Sequence, residues 1–321
     1  MTDSLLDRQT GVLLGTRNCR QDAQLDTAQV RVTDFIPTQP VADAEAARSI
    51  LESLDRTARR WDTPAGDGTM AWRGWGSGGP SVLLMHGGAG SWRHWTRNIG
   101  VLSRDHTVIA PDLPALGDSA GLPEPLDAHA MAATVLRGLK EVVHPNAPVH
   151  VAAFSFGGVI AGPVAAALGD RVQSLTLIGT GGLGPPNRSI DLVRVRDKTG
   201  SEREDAHREN LLRMMLGVPE NVDALAVEIQ EQNTSRARLN SGFMWRSTAL
   251  ADALPSIHGH VHAFWGEREM PDRSLLDARI AVMRKARPDA EIEVIPHVGH
   301  WACYEAADHM NAELLRIISP A

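Results

Sequence analysis

Between Ser81 and Ile178, short apolar runs alternate with segments of helical composition, and this alternation narrows the fold more than any other feature. The runs are Ser81 to Met85, Thr107 to Ala110, Val149 to Phe154 and Val172 to Ile178, separated by helical segments at Trp92 to Leu102, Ala128 to Val143 and Gly157 to Leu168. Apolar runs without polar alternation are strands covered on both faces. Strands that alternate with helices pair in parallel through right-handed crossovers. The expectation is an α/β chain with a doubly wound, mostly parallel sheet.

After Ile178 the rhythm stops. Gly179 to Pro186 reads as a loop, and the span to Pro255 as charged, mostly helical segments. The strand pattern returns at Val261 to Trp265 and Ile292 to Ile295, with a helix at Ser274 to Lys285 between them and a last helix at Ala306 to Ile317. Residues 181–257 therefore read as a helical cap inserted between two strands of one sheet, and 61–180 with 258–321 as the core. Upstream, Gly66-Asp67-Gly68 marks a hairpin turn, and Ala47, Ile50, Leu51, Leu54, Ala58 and Trp61 fall at helical spacing. Residues 1–60 are thus read as an irregular arm to about Pro40 followed by one amphipathic helix that packs on the core, covers the pocket or makes a homodimer contact.

Composition excludes several function classes. Lys plus Arg number 32 against 39 Asp plus Glu, a net charge of −7, and no basic run stands out, which argues against nucleic acid and anionic membrane surfaces as partners. The two cysteines, Cys19 and Cys303, have neither the number nor the spacing of a disulfide framework or zinc site. The first 15 residues lack the basic start of a signal peptide, and no run of 18 apolar residues occurs, so the expectation is a soluble, cytoplasmic protein.

In an open parallel sheet the reactive groups lie on loops beyond the carboxyl ends of the strands. The sharpest such loop is Ala153-Phe154-Ser155-Phe156-Gly157-Gly158, where a strand breaks at a serine with small residues two positions before and after it. A serine hydroxyl needs an imidazole to take its proton and a carboxylate to orient that imidazole. His300 follows Gly299 after the last strand, and Glu269 lies in Gly266 to Asp272 after the strand before it, with Glu267 and Asp272 as neighbouring carboxylates. After Met85, His86-Gly87-Gly88-Ala89-Gly90 can bring a backbone N–H near a substrate oxygen. Gly88 and Phe156, the residue after the serine, are the expected oxyanion donors.

These motifs, together with Pro111 to Ser119, resemble the α/β-hydrolase fold superfamily over about residues 62 to 318. The resemblance implies an eight-stranded sheet with the cap after strand 6, and a Ser155–His300–Glu269 triad. Within the superfamily, Ile178 to Gly184 and Gly299-His300-Trp301-Ala302 look like the meta-cleavage product hydrolases, which cut a carbon–carbon bond in products of aromatic ring fission. Glu269 stands where aspartate is usual, Ala153 where glycine is usual, and Phe154 where those hydrolases commonly carry asparagine. No aspartate occupies the elbow, which argues against alkyl-enzyme chemistry. The expected function is a serine hydrolase of a small ester or related carbonyl compound. A carbon–carbon bond hydrolase is the alternative, and a non-catalytic binding protein or a lyase or oxygenase on this scaffold the further one.

Trp92, Phe154 and Trp301 are candidates to line the substrate pocket, and Arg236, Arg238 and Arg246 to hold a substrate carboxylate. His258, His260 and His262 alternate at strand spacing, but no fourth ligand pattern accompanies them, so neither a metal nor a cofactor is expected. Cys303 reads as a small buried apolar residue.

Overall fold

The computed structural model describes residues 39–124, 126–184, 190–239, 244, 246–269 and 273–319. The arm up to residue 38 with Cys19, the prolines 185 and 186, and the carboxylate at Asp272 lie outside these residues.

Helix α1 (Ala44–Thr57) starts where the Asp43 side chain accepts the Ala46 N–H at 2.8 Å, an N-cap, and it buries Ala47, Leu51 and Leu54. Strands β1 (Arg59–Ala65) and β2 (Gly68–Trp75) form the antiparallel hairpin, closed by Gly66 in a left-handed conformation. Then come β3 (Ser81–Met85), a 3₁₀ turn at Trp92–Trp95, α2 (Thr96–Leu102), β4 (Thr107–Pro111), α3 (Ala128–Val142), β5 (Val149–Phe154), α4 (Phe156–Leu168) and β6 (Val172–Ile178). The insertion holds α5 (Gly200–Asn210), a π-helical turn at Leu211–Met215 and α6 (Ala224–Arg236). α7 (Ala249–Ala253), β7 (His260–Gly266), α8 (Arg273–Ala286), β8 (Glu291–Ile295), α9 (Ala302–Glu305) and α10 (Ala307–Ile318) complete the described chain.

The eight strands run in the order β1-β2-β4-β3-β5-β6-β7-β8, parallel from β4 through β8. The central strands carry apolar residues on both faces because each face has its own helix layer. Leu83, Met85, Val151 and Ala153 face a core shared with Met131, Val135, Val159 and Val164, while Val82, Leu84, Ala152 and Phe154 face one shared with Leu51, Leu54, Ile99 and Leu314. The mostly parallel eight-stranded sheet expected from sequence is the sheet found.

Two sets of contacts join the segments outside the sheet to the rest of the chain. α7 lies inside the 181–257 insertion, yet it packs on α4 in the core layer, where a Cβ on Gly162 would come within 2.8 Å of Leu250. α1 docks on α6: Val41 N–H donates to Asp223 at 2.9 Å, and Ala224 N–H donates to Val41 O at 3.1 Å. Asp223 is also the N-cap of α6, accepting from Ala226 N–H, and its buried carboxylate meets Arg97 of α2 at 2.8 Å and the Tyr304 hydroxyl of α9 at 2.5 Å. One side chain thus ties the N-terminal segment, α6, α2 and α9 together. Removing the acid would leave Arg97 buried without its counter-charge. Asp223→Ala is expected to cost about 3–5 kcal/mol of unfolding free energy, read from urea unfolding.

Three buried histidines link the fold to pH. Burial is the main cause lowering the pKa of His86, His94 and His150, and for His150, whose Nδ1 meets Ser174 Oγ at 2.8 Å, the fall is from 6.5 to about 4. Such an imidazole stays neutral in the native state but takes up a proton when unfolded. Its contribution to stability is complete above pH 6.5 and is lost as the pH falls toward 4. The urea midpoint is expected to be level from pH 8 to 7 and to drop between pH 6.5 and 5, with a shallower drop in His150→Gln. A midpoint unchanged from pH 7 to 5 would refute this.

Candidate functional site

At the end of β5 the backbone turns through Ser155 with φ 53° and ψ −117°, a region sparsely populated by any residue with a Cβ. Neighbouring backbone holds it there. Ser155 N–H donates to Ile178 O at 2.8 Å, and Ser155 O accepts from Gly158 at 3.0 Å and Gly181 at 3.2 Å. The first turn of α4 lies against the ends of β3 and β6, so a Cβ on Gly157 would sit 2.5 Å from Met85 O, and one on Gly158 would sit 1.9 Å from Thr180 Oγ1. These contacts explain the glycines after the serine.

The structure brings Ser155, His300 and Glu269 into one line of contacts. His300 Nε2 lies 2.8 Å from Ser155 Oγ, and His300 Nδ1 lies 3.1 Å from Glu269 Oε1. All three side chains are more than nine-tenths buried. The imidazole has room because Gly179 has no side chain: a Cβ there would be 2.9 Å from His300 Nδ1. Of the neighbouring carboxylates, Glu267 is exposed and accepts from the His297 N–H at 2.9 Å.

The sequence reading missed Arg279. It projects from α8, is 3% exposed, and places Nη1 3.3 Å from Glu269 Oε1, on the atom that also meets His300. Burial lowers its pKa, against the pull of Glu269. Its signal was present, since Leu276, Arg279 and Met283 share a helical face, and a cation on an apolar face needs a partner.

The glycine loop after β3 is fixed by two neutral histidines. His86 Nε2 accepts the Leu113 N–H at 2.8 Å, while His94 Nδ1 accepts the Gly87 N–H at 3.2 Å. Burial, reinforced by the imidazoles of His86 and His300, holds His94 well below the usual histidine range. With Nδ1 accepting, its proton is on Nε2. The Gly87 backbone approaches so closely that a Cβ there would meet the Phe154 ring at 2.9 Å and Ser155 Cβ at 3.2 Å. Among the described residues, no acceptor is bonded to the Gly88 or the Phe156 N–H. Asp112 ties this loop to the next, accepting from Trp92 N–H at 2.9 Å and from Asp118 N–H at 3.0 Å, with Arg73 bridging Asp112, Asp118 and Asp55.

The pocket candidates fare differently. Trp92 is fully buried with its ring 5.4 Å from that of Trp75 and the guanidinium groups of Arg73 and Arg93 over it, so it packs the core rather than lining an opening. Phe154 and Trp301 are also buried, but beside the site: Phe154 lies 5.1 Å from the His300 ring and 5.3 Å from His94, and Trp301 Nε1 donates to His94 O at 3.1 Å. Arg238 is occupied, donating to Gly117 O and Ser119 O, and Arg236 lies 3.6 Å from Asp118. Both arginines therefore brace the loop after β4, a role invisible to a reading that treats helix-end charges as free. Arg246 is exposed. His258 and His262 face separate acids, Asp170 and Glu291. A crevice of about 460 Å³ opens between α1, α5 and α6, away from Ser155, but Arg48, Arg203 and Arg208 on its walls are each paired with a glutamate.

Comparison with known proteins agrees with this fold. The chain is 28% identical over 251 residues to the dihydrolipoyllysine-residue acetyltransferase component of the acetoin cleaving system of Pseudomonas putida. The match covers 76% of this chain and 64% of that protein, so the chain spans less than two thirds of that relative. It is 28% identical over 269 residues to 2-hydroxy-6-oxononadienedioate/2-hydroxy-6-oxononatrienedioate hydrolase 1 of Dechloromonas aromatica (strain RCB), over 76% of this chain and 88% of that one. The structure of the meta-cleavage product hydrolase from Pseudomonas fluorescens IP01 aligns with a TM-score of 0.61 at 20% identity, over 80% of this chain and 96% of that chain, a likeness of fold. The model of the alpha/beta hydrolase family matches residues 82–314, from β3 into α10, and the chain belongs to that family.

Proposed function

We propose that the protein is a serine hydrolase in which Ser155 is the nucleophile, His300 the proton carrier and Glu269 the residue that orients His300. The observation that carries this reading is the continuous contact from Ser155 Oγ through both ring nitrogens of His300 to Glu269 Oε1, at 2.8 and 3.1 Å. Ser155 Oγ forms a bond to the substrate carbonyl carbon while its proton passes to His300 Nε2. The developing oxyanion is met by the N–H groups of Gly88 and Phe156, each worth about 3–4 kcal/mol in a water-excluded site. Collapse breaks the bond to the leaving group, which takes the proton from His300. Water then repeats the sequence on the acyl-serine and returns the enzyme.

The substrate class best supported is a small ester or related carbonyl compound. A second reading, cleavage of a carbon–carbon bond in a ring-fission product, is favoured by the similarity to the Dechloromonas aromatica hydrolase. There His300 would first move a proton from the dienol oxygen to carbon, and Ser155 would add to the resulting ketone. Phe154, an apolar ring beside Ser155, speaks for the first reading because it offers such a substrate no polar contact.

Ser155→Ala is expected to lower turnover of p-nitrophenyl acetate at least about a thousandfold. Full retention would sink the mechanism. Bleaching of a 2-hydroxy-6-oxo-dienoate faster than ester turnover would select the second reading. Arg279→Met keeps the bulk of the side chain and removes the charge facing Glu269. It is expected to lower stability by about 3 kcal/mol and kcat by tenfold or more, by differential scanning calorimetry and steady-state kinetics.

A further inference from the structure

Glu305 ends α9, five positions after His300, and its carboxylate is saturated by donors from a distant segment and from its own loop. Oε1 accepts from the N–H groups of Gly217 at 2.9 Å and Val218 at 3.2 Å, and from Asn221 Nδ2 at 2.8 Å. Oε2 accepts from Gly217 N–H at 2.9 Å and from Gly299 N–H at 2.6 Å. Residues 217–221 form the turn after the π-helical segment of the insertion. Gly299 directly precedes His300.

Other contacts cross the same seam. Trp301 N–H donates to Met215 O at 2.7 Å, and Arg268, whose N–H holds Val298 O in the His300 loop at 2.8 Å, donates from Nη1 to Gly217 O at 3.1 Å. The two backbones touch so closely that a Cβ on Gly299 would lie 2.4 Å from Gly217 N, and one on Gly217 would lie 2.7 Å from Gly299 N. A carboxylate only accepts, with about four lone-pair sites, and here all its neighbours are donors. An amide of the same shape would turn an NH₂ group against N–H groups and could not satisfy both segments.

We propose that Glu305 is a positioning residue that couples the 217–221 turn of the insertion to the His300 loop, so that His300 keeps its reach to Ser155 only while the insertion is docked. Glu305 touches neither Ser155 nor a ligand, so it acts through Gly299 on the placement of the imidazole. The inference rests on the Ser155–His300 reading above, and its test separates the two.

The rate of covalent labelling by a fluorophosphonate is measured on the full chain, resolved into kinact and KI, for the wild type, Ser155→Ala and Glu305→Gln, with the melting temperature alongside. The expected result is rapid labelling of the wild type, none of Ser155→Ala, and for Glu305→Gln a kinact lower by tenfold or more, with KI within twofold and melting within a few degrees. Asn221→Ala, which removes one donor and leaves the carboxylate, is expected to lower kinact about threefold, and it carries the test if Glu305→Gln does not fold. A labelled wild type with kinact unchanged in the variants overturns the role of Glu305 and leaves the nucleophile standing. A fall in rate that tracks melting and a rise in KI overturns it in favour of packing. A wild type that resists the probe overturns the nucleophile reading and the inference with it.

Discussion

The left-handed backbone at Ser155 is strained by roughly 1–3 kcal/mol, and the surroundings needed to hold it set much of the rest of the structure. β5 lies between β3 and β6, so the turn after it is enclosed by the loops that leave both neighbours. α4 must start flush against those loops, which allows no side chain at Gly157 and keeps Thr180 against Gly158. The helix itself is apolar on all sides, and α3 and α7 pack against it. The serine is thus fixed by the centre of the sheet. His300 comes from the opposite situation, a loop after β8 at the sheet edge, with β6 and β7 between its strand and that of the serine. Its loop must cross both, and Gly266, Gly299 and Gly179 mark where backbone passes at close range.

A loop that travels so far from its strand needs anchors, and the molecule uses carboxylates that accept backbone N–H groups. Asp112 joins the loops after β3 and β4, Asp223 joins the N-terminal segment and α6 to α2 and α9, and Glu305 joins the insertion to the His300 loop. An acid in this setting is specific in a way that apolar packing is not. It must meet donors at defined positions, and a shift of one segment leaves a buried or half-buried charge short of partners. Apolar contacts supply the area buried by the two cores, and these acids fix the register of the pieces.

The sheet was legible because its signal is local. The runs 81–85, 149–154 and 172–178 are mostly apolar and rich in β-branched residues and leucine, and they are strands with those bounds. The elbow was legible for the same reason, since the steric demand for small neighbours is written within six residues. What escaped depends on tertiary partners. Arg279 and Arg238 are charges on or beside helices, and only their neighbours reveal that one is buried against Glu269 and the other spent on loop carbonyls. Trp92 looked like a pocket residue because it follows a glycine loop, but the ring turns into the core over which α1 closes. The last helix, read as beginning near Ala306, is α10, and the short α9 before it, which holds Tyr304 and Glu305, escaped the reading.

The charges around His300 bear on how a proton would move there. Glu269 Oε1 is shared between His300 Nδ1 at 3.1 Å and Arg279 Nη1 at 3.3 Å, so the carboxylate that would balance an imidazolium already faces one cation. The Phe154 ring lies 5.1 Å from that of His300, and the neutral His94 packs against Phe154 and Trp301. If Ser155 passes its proton to this imidazole, the new positive charge shares Glu269 Oε1 with Arg279, in buried surroundings that screen it weakly. In the proposed mechanism the negative charge on the substrate oxygen, met by backbone N–H groups, would then add a second counter-charge to the imidazolium. On this argument the two halves of the site stabilise each other only while a tetrahedral centre is present, which concentrates the interaction in the transition state rather than in the resting enzyme.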